Sequence, residues 1–156
     1  MLYKTHIATS LAVSLPFLLH GEQPLEVLVF NIGLLTIGTT LPDIDEPKSF
    51  IGRRTRGVSD GINAIFGHRG VTHTLWAMCF FWMLTVLTPS LYWLAVGYTL
   101  HIIQDCFSKS GVRLFLPLKV RIGIPLYRTG SLSEKVFFIG MLLWMGVTIF
   151  SNQRAI

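Results

Sequence analysis

The sequence predicts an all-α membrane protein, a single-domain helical bundle with four to five membrane helices. Three observations predict it. Apolar residues fill 51% of the 156 positions and charged residues only 13%, against roughly 25% charge in a soluble domain. The apolar residues come in long blocks separated by polar or basic segments, and mean hydropathy is +0.57. Histidines and aspartates gather at the block ends, where ionisable groups in a membrane protein mark pairing or function.

The first block, Ile7–Leu19, follows a short basic start and predicts a helix interrupted by Pro16. A secretory signal peptide is the competing reading. The residues before Gly21 lack a small-x-small cleavage pattern and Leu19 fits it poorly, which favours a retained helix. It is short against the roughly 20 residues of a full span. Gly21-Glu22-Gln23-Pro24 turns the chain into a second span, Leu25–Leu41, whose Gly33 and Gly38 suit close helix packing. That span stops at Pro42-Asp43-Ile44-Asp45-Glu46-Pro47, where the prolines break regular helix. Within the polar loop 48–67, Ser59 predicts the cap of a short amphipathic turn through Phe66. A third span runs from about Thr72 to Leu87, Thr88-Pro89-Ser90 turns, and Leu91–Cys106 returns as the fourth. Segment 107–130 mixes Lys and Arg with Leu114-Phe115-Leu116-Pro117-Leu118 and reads as interfacial. Ser131-Leu132-Ser133-Glu134 matches a capping box before the last apolar helix, Val136–Phe150. Cys79 and Cys106 lie in apolar blocks and read as small core residues rather than a disulfide or CxxC site.

Basic residues orient the spans. Loop 48–69 holds Lys48, Arg53, Arg54, Arg56 and Arg69, and loop 107–135 holds Lys109, Arg113, Lys119, Arg121, Arg128 and Lys135. The turns 21–24 and 88–90 hold none. The positive-inside rule then puts the N-terminus and both long loops in the cytoplasm. A fifth span leaves Arg154 outside, and a last helix lying in the interface returns it inside.

This topology brings His6, Asp43, Asp45, His68, His73, His101 and Asp105 to one membrane level from four segments. His101-x-x-x-Asp105 is an i, i+4 pair on one helical face, as metal ligation requires. Asp43-Ile44-Asp45 sets two carboxylates at a helix end where the dipole opposes them, which favours a nearby cation. His68 belongs on a turn made by Gly67 and Gly70, with His73 on the helix proper and Arg69 pointing elsewhere, toward a phosphate oxygen. The structural alternatives are a His–Asp pair, solvated stop signals and interfacial histidines. Their convergence at one depth favours a metal site at the cytoplasmic face. Arg53, Arg54 and Arg69 are the candidate substrate-binding cations. Nucleic acid is disfavoured, because the basic loop is short and carries no interleaved aromatics.

The pieces His6, Leu41-Pro42-Asp43-Ile44-Asp45, Gly67-His68-Arg69-Gly70-Val71-Thr72-His73 and Gly97-Tyr98-x-x-His101-x-x-x-Asp105 together resemble the YdjM-like family of membrane-bound, metal-dependent hydrolases of bacteria and archaea. That family is distantly similar to zinc-dependent phospholipase C and P1-type nucleases. The resemblance implies a multi-pass protein of the inner membrane with His6, Asp43 or Asp45, His68, His73, His101 and Asp105 as ligands. A second HxxxD/E-type pair is missing after Asp105, so one or two metals are expected rather than three. The donor set favours Zn²⁺, with Mn²⁺ and Fe²⁺ as alternatives. The expected reaction is metal-assisted cleavage of a phosphoester in a phospholipid or other lipid phosphate, with Asp45 orienting the water. A metal transporter and a non-catalytic, metal-stabilised membrane protein are the rival readings. A transporter needs ligands at mid-membrane or on both faces.

Overall fold

A computed structural model describes residues 1–118 and 120–153. Lys119 and Arg154, two cations used in the orientation argument, lie outside the described residues. Six α-helices carry the fold: α1 (Tyr3–Leu18), α2 (Leu25–Thr40), α3 (Val58–Phe66), α4 (Leu75–Leu87), α5 (Tyr92–Cys106) and α6 (Leu132–Gln153). Short 3₁₀ turns at Leu41–Asp45, Val71–His73 and Pro89–Leu91 join them. Among the described residues there is no strand beyond two isolated bridges, Ser108 with Tyr127 and Val112 with Ile122.

The bundle is built around α2 and α5. Glycine makes that possible. A Cβ on Gly38 would stand 2.1 Å from the Leu94 carbonyl oxygen, and one on Gly97 would stand 2.2 Å from that of Leu35. The two backbones touch where side chains would hold them apart. Gly33, expected to share this role, faces open space. Helix α1 packs on α2 and α6, and α4 packs on α5.

The interior is polar and the exterior apolar. Buried side chains include His6, His73, His101, Asp45, Asp105, Gln104 and Glu134. Val29, Phe30, Trp76, Met83, Val86, Leu143, Trp144 and Phe150 are exposed. Water would penalise so wide an apolar surface, whereas lipid solvates it. Two helical stretches are long and apolar enough to cross a membrane, Leu25–Asp45 and Leu132–Asn152. At 1.5 Å per residue, the 22-residue α6 is about 33 Å long and the 16-residue α1 about 24 Å. Helix α4 is apolar but shorter.

Three local expectations change. Helix α3 is capped two residues earlier than Ser59, by Gly57, whose N–H donates to Asp60 Oδ2 at 3.2 Å. Ser59 is buried instead. Helix α6 begins at Leu132, four residues before the apolar run. Glu134 is more than a local cap: it is 1% exposed, and its two oxygens accept from Gly130 N–H and from Leu2 N–H, each at 2.6 Å. It ties the start of the chain to α6.

Candidate metal centre

The site lies where α1 begins, α2 ends, α4 begins and α5 ends. Helix α2 tightens into the 3₁₀ turn Leu41–Asp45, with Pro42 in its first turn. At three residues per turn, side chains two apart point about 120° away from each other. Asp43 and Asp45 therefore face different partners. Asp43 Oδ1 is 3.7 Å from His101 Nε2. Asp45 is fully buried. Its Oδ1 accepts from His68 Nδ1 at 3.0 Å, and its Oδ2 accepts from Thr72 Oγ1 at 2.5 Å and His73 Nδ1 at 3.1 Å.

His73 was expected on the third helix, but it closes the 3₁₀ turn Val71–His73 ahead of it. Thr74 then caps α4, its Oγ1 accepting from Ala77 N–H at 3.2 Å. Tyr98 of α5 donates its hydroxyl to the Thr72 carbonyl, pinning this turn to the bundle. Before the turn, Arg69 adopts φ +56°, a left-handed conformation that costs a non-glycine residue about 1–2 kcal/mol. The strain brings its guanidinium back into the cluster rather than away from the histidines. Nη2 is 2.7 Å from Asp105 Oδ2, and Nη1 donates to Ser108 Oγ and the Gly111 carbonyl, both at 3.0 Å.

Hydrogen bonds fix the tautomers of three histidines. His101 Nδ1 sits 2.7 Å from the Thr39 carbonyl, which only accepts, so Nδ1 carries the proton. His73 Nδ1 faces the Asp45 carboxylate. His6 Nδ1 is 3.0 Å from Gln104 Oε1, while the Gln104 amide nitrogen donates to Ser10 Oγ at 2.9 Å. All three rings thus turn a lone pair on Nε2 inward. His73 and His101 Nε2 are 3.3 Å apart. His6 Nε2 is 3.4 Å from Asp105 Oδ1, and His73 and His101 Nε2 are 3.7 and 3.9 Å from Asp105 Oδ2. The rings of His6 and His101 stack at 3.9 Å.

Acceptors facing acceptors repel unless a cation lies among them. Two ligands each about 2.1 Å from one tetrahedral ion stand about 3.4 Å apart, close to these separations. The atoms form two such groups, His6–His101–Asp105 and Asp43–His73–His101, sharing His101. The residues present therefore fit one or two divalent cations of the zinc type.

Asp45 and His68, both expected as ligands, belong to neither group. Asp45 accepts from His68 through one oxygen and from Thr72 and His73 through the other, the pattern of a carboxylate that orients histidines from behind. His68, with its side chain 40% exposed, hangs from Asp45 at the edge. Burial alone lowers its pKa, and the hydrogen bond and charge of Asp45 outweigh that and raise it. Gln104, Thr39 and Thr72 complete the support and were not singled out from sequence. A polar Gln inside an apolar span was the available signal.

Arg53 and Arg54 do not reach the cluster through any contact in the structure. Arg54 stacks over Phe50 at 3.8 Å and donates to its carbonyl, and both side chains are exposed. A cavity of about 290 Å³ adjoins the cluster, lined by Asp43, His68, Arg69 and Asp105 and, from segment 107–130, by Ser110, Arg121 and Thr129. Met1 also lines it, with its amino group 3.2 Å from Asp105 Oδ1.

The family described as YdjM inner membrane protein matches residues 1–155. The chain belongs to this family. It is 32% identical over 146 residues to the uncharacterized protein YvsG of Bacillus subtilis, covering 90% of this chain and 89% of YvsG. It is 33% identical over 115 residues to the inner membrane protein YdjM of Escherichia coli, covering 67% of this chain. The match to YdjM spans 59% of that protein's length. The YdjM of Shigella flexneri gives the same figures. No solved structure matches. The family and the two spanning-length helices make this chain a membrane protein.

Proposed function

We propose that this YdjM-family protein is a multi-pass membrane hydrolase that cleaves a phosphoester of a phospholipid or another lipid phosphate at the cytoplasmic face of the inner membrane. The observation that carries the reading is the inward convergence of three tautomer-fixed Nε2 atoms on Asp43 and Asp105 beside an open cavity. Four to five spans, with the shorter helices α1, α4 and α5 packed beside longer ones, agree with the positive-inside count.

His6, Asp43, His73, His101 and Asp105 would hold one or two ions, Zn²⁺ foremost, with Mn²⁺ or Fe²⁺ as substitutes. When bound, such an ion supplies Lewis-acid activation of water and of the phosphoryl oxygen. The protein does the rest. Asp45 orients His68 and His73, Thr39 fixes His101, and Gln104 fixes His6. Arg69 offsets the charge of Asp105 and holds segment 107–130 against α5. His68, paired through Nδ1, keeps Nε2 to exchange a proton with a group in the cavity. The rival of a purely structural metal is disfavoured by that cavity, since structural sites are closed.

The test is metal analysis by inductively coupled plasma mass spectrometry of detergent-purified protein, with phosphate-ester hydrolysis measured alongside. One or two equivalents of metal, lost in His101→Ala and Asp105→Ala together with hydrolysis, are expected. A folded, metal-supplemented protein that binds none refutes the reading. Bound metal without hydrolysis of any lipid phosphate favours the structural role.

A further inference from the structure

We propose that Arg121 is a substrate-binding residue that holds a phosphate oxygen in the cavity beside the metal cluster. The proposal rests on reading that cavity as the place where a phosphate ester sits, and it names the cation that the sequence alone assigned to Arg53 and Arg54.

Charge and position carry it. Four of the residues lining the cavity belong to the cluster, and Arg121 adds a second guanidinium to Arg69. Arg69 is already committed to Asp105 at 2.7 Å. Arg121 has no acidic partner among the described residues, and its one hydrogen bond, to the Ser110 carbonyl, is long at 3.3 Å. A cation facing ligand carboxylates without a carboxylate of its own is poised for an external anion. Two further donors that line the cavity, Ser110 and Thr129, are hydroxyls.

The position of Arg121 is also fixed from below. Its neighbour Ile122 pairs with the buried Val112, N–H to carbonyl in both directions at 2.9 and 2.8 Å. Ile124 N–H donates to the Cys106 carbonyl at 2.8 Å. Glycine lets this segment lie close on the end of α5: a Cβ on Gly123 would be 2.9 Å from that same carbonyl. Val112 follows Gly111, whose carbonyl Arg69 grips. Arg121 is therefore set on the same scaffold that holds Asp105.

The flanks indicate the form the phosphate takes. Val120, Ile124 and Leu126 are 61%, 59% and 67% exposed. An apolar cavity of about 380 Å³, lined by Phe107, Leu126, Tyr127, Val136 and Phe137, shares Met1 with the polar one. A phosphate carrying an apolar chain fits both, whereas a free phosphate uses only the first.

The test is equilibrium binding by calorimetry to metal-loaded, detergent-solubilised protein. The probes are dihexanoyl phosphatidate, inorganic phosphate and uncharged dihexanoylglycerol. Arg121→Gln is expected to weaken phosphatidate binding 10- to 100-fold, the scale of a charge-assisted contact, with metal content unchanged. Arg121→Lys is expected to retain most of it and Arg53→Gln all of it. Preference for phosphatidate over inorganic phosphate assigns the site to lipid, and equal affinity assigns it to a free phosphate ester. Both keep Arg121 in its role. Unchanged phosphatidate affinity in Arg121→Gln, or no binding of either phosphate by the wild type, overturns the proposal. Turnover distinguishes the two readings: Arg121-dependent binding without hydrolysis leaves the anion site standing and removes the hydrolase. Hydrolysis that is unaltered in Arg121→Gln, with binding also unaltered, does the reverse.

Discussion

Asp45→Asn separates an orienting carboxylate from a ligand. The substitution conserves shape and removes charge. Asp45 accepts three hydrogen bonds, from His68 Nδ1, His73 Nδ1 and Thr72 Oγ1. Asparagine has one acceptor oxygen, so its amide N–H₂ must face at least one of those donors. With the amide N–H₂ toward His73, that ring loses the acceptor that fixes its tautomer, and its lone pair turns away from His101. Loss of such outer support costs about 10- to 100-fold in metal affinity. At free metal of 100 times the wild-type Kd, binding stabilises the fold by about 2.7 kcal/mol. A 100-fold weaker variant keeps only about 0.4 kcal/mol at the same concentration, by the same relation. The assay is thermal unfolding in detergent across a zinc titration, with the apo protein as baseline. The expected result is a metal-dependent Tm rise that shrinks and moves to higher zinc. An unshifted titration in a folded Asp45→Asn protein would refute the orienting role. Abolition of binding at all concentrations would make Asp45 a ligand after all.

Other perturbations read other parts of the structure. Gly97→Ala drives a Cβ into the Leu35 carbonyl and should cost about 1–3 kcal/mol by overpacking, with metal affinity falling because α5 carries His101 and the turn that continues α2 carries Asp43. Gly33→Ala meets nothing within 4 Å and should leave Tm unchanged or raised; a large fall would show that Gly33 packs against a partner. Glu134→Leu strands two backbone N–H groups and should cost about 1–3 kcal/mol per group left unsatisfied, seen as a lower Tm in apo and metal-loaded protein alike. Chelation of the wild type should lower Tm by leaving the Nε2 atoms facing one another, and an unchanged Tm after verified metal removal would contradict that geometry.

The helical pattern and the cluster's membership were legible because both follow from short-range rules. His101 and Asp105 share a face by their spacing alone, and the antiparallel run of α1, α2, α4 and α5 brings four helix ends together. The division of labour within the cluster was not legible. The spacing of Asp43 and Asp45 does not say which of them meets His101 and which meets His68 and His73. Arg69 enters the cluster through a left-handed backbone between two glycines, a conformation its residue type disfavours. Glu134 spells a local capping box, yet one of its oxygens accepts from a residue 132 positions away. Arg121 is one of six cations in loop 107–135, and nothing in the sequence sets it beside Asp43 and Asp105 at the cavity.

The arrangement also accounts for why so many polar groups sit in an apolar chain. Each inward-facing ring has an acceptor at Nδ1, supplied by a different element: the Thr39 carbonyl from α2, Gln104 from α5, and Asp45 from the turn after α2. Each ring is therefore held from outside the centre and presents the same atom inward. Buried carboxylates are costly without a counter-charge. Arg69 supplies one for Asp105 at 2.7 Å, whereas Asp43, with 18% of its side chain exposed, has an imidazole as its one ion-pair partner among the described residues. The unbalanced charge lies on the cavity side of the cluster, between His101 and the residues that line the opening. A cation held there would offset that charge beside the cavity lined by Asp43, His68, Arg69 and Asp105.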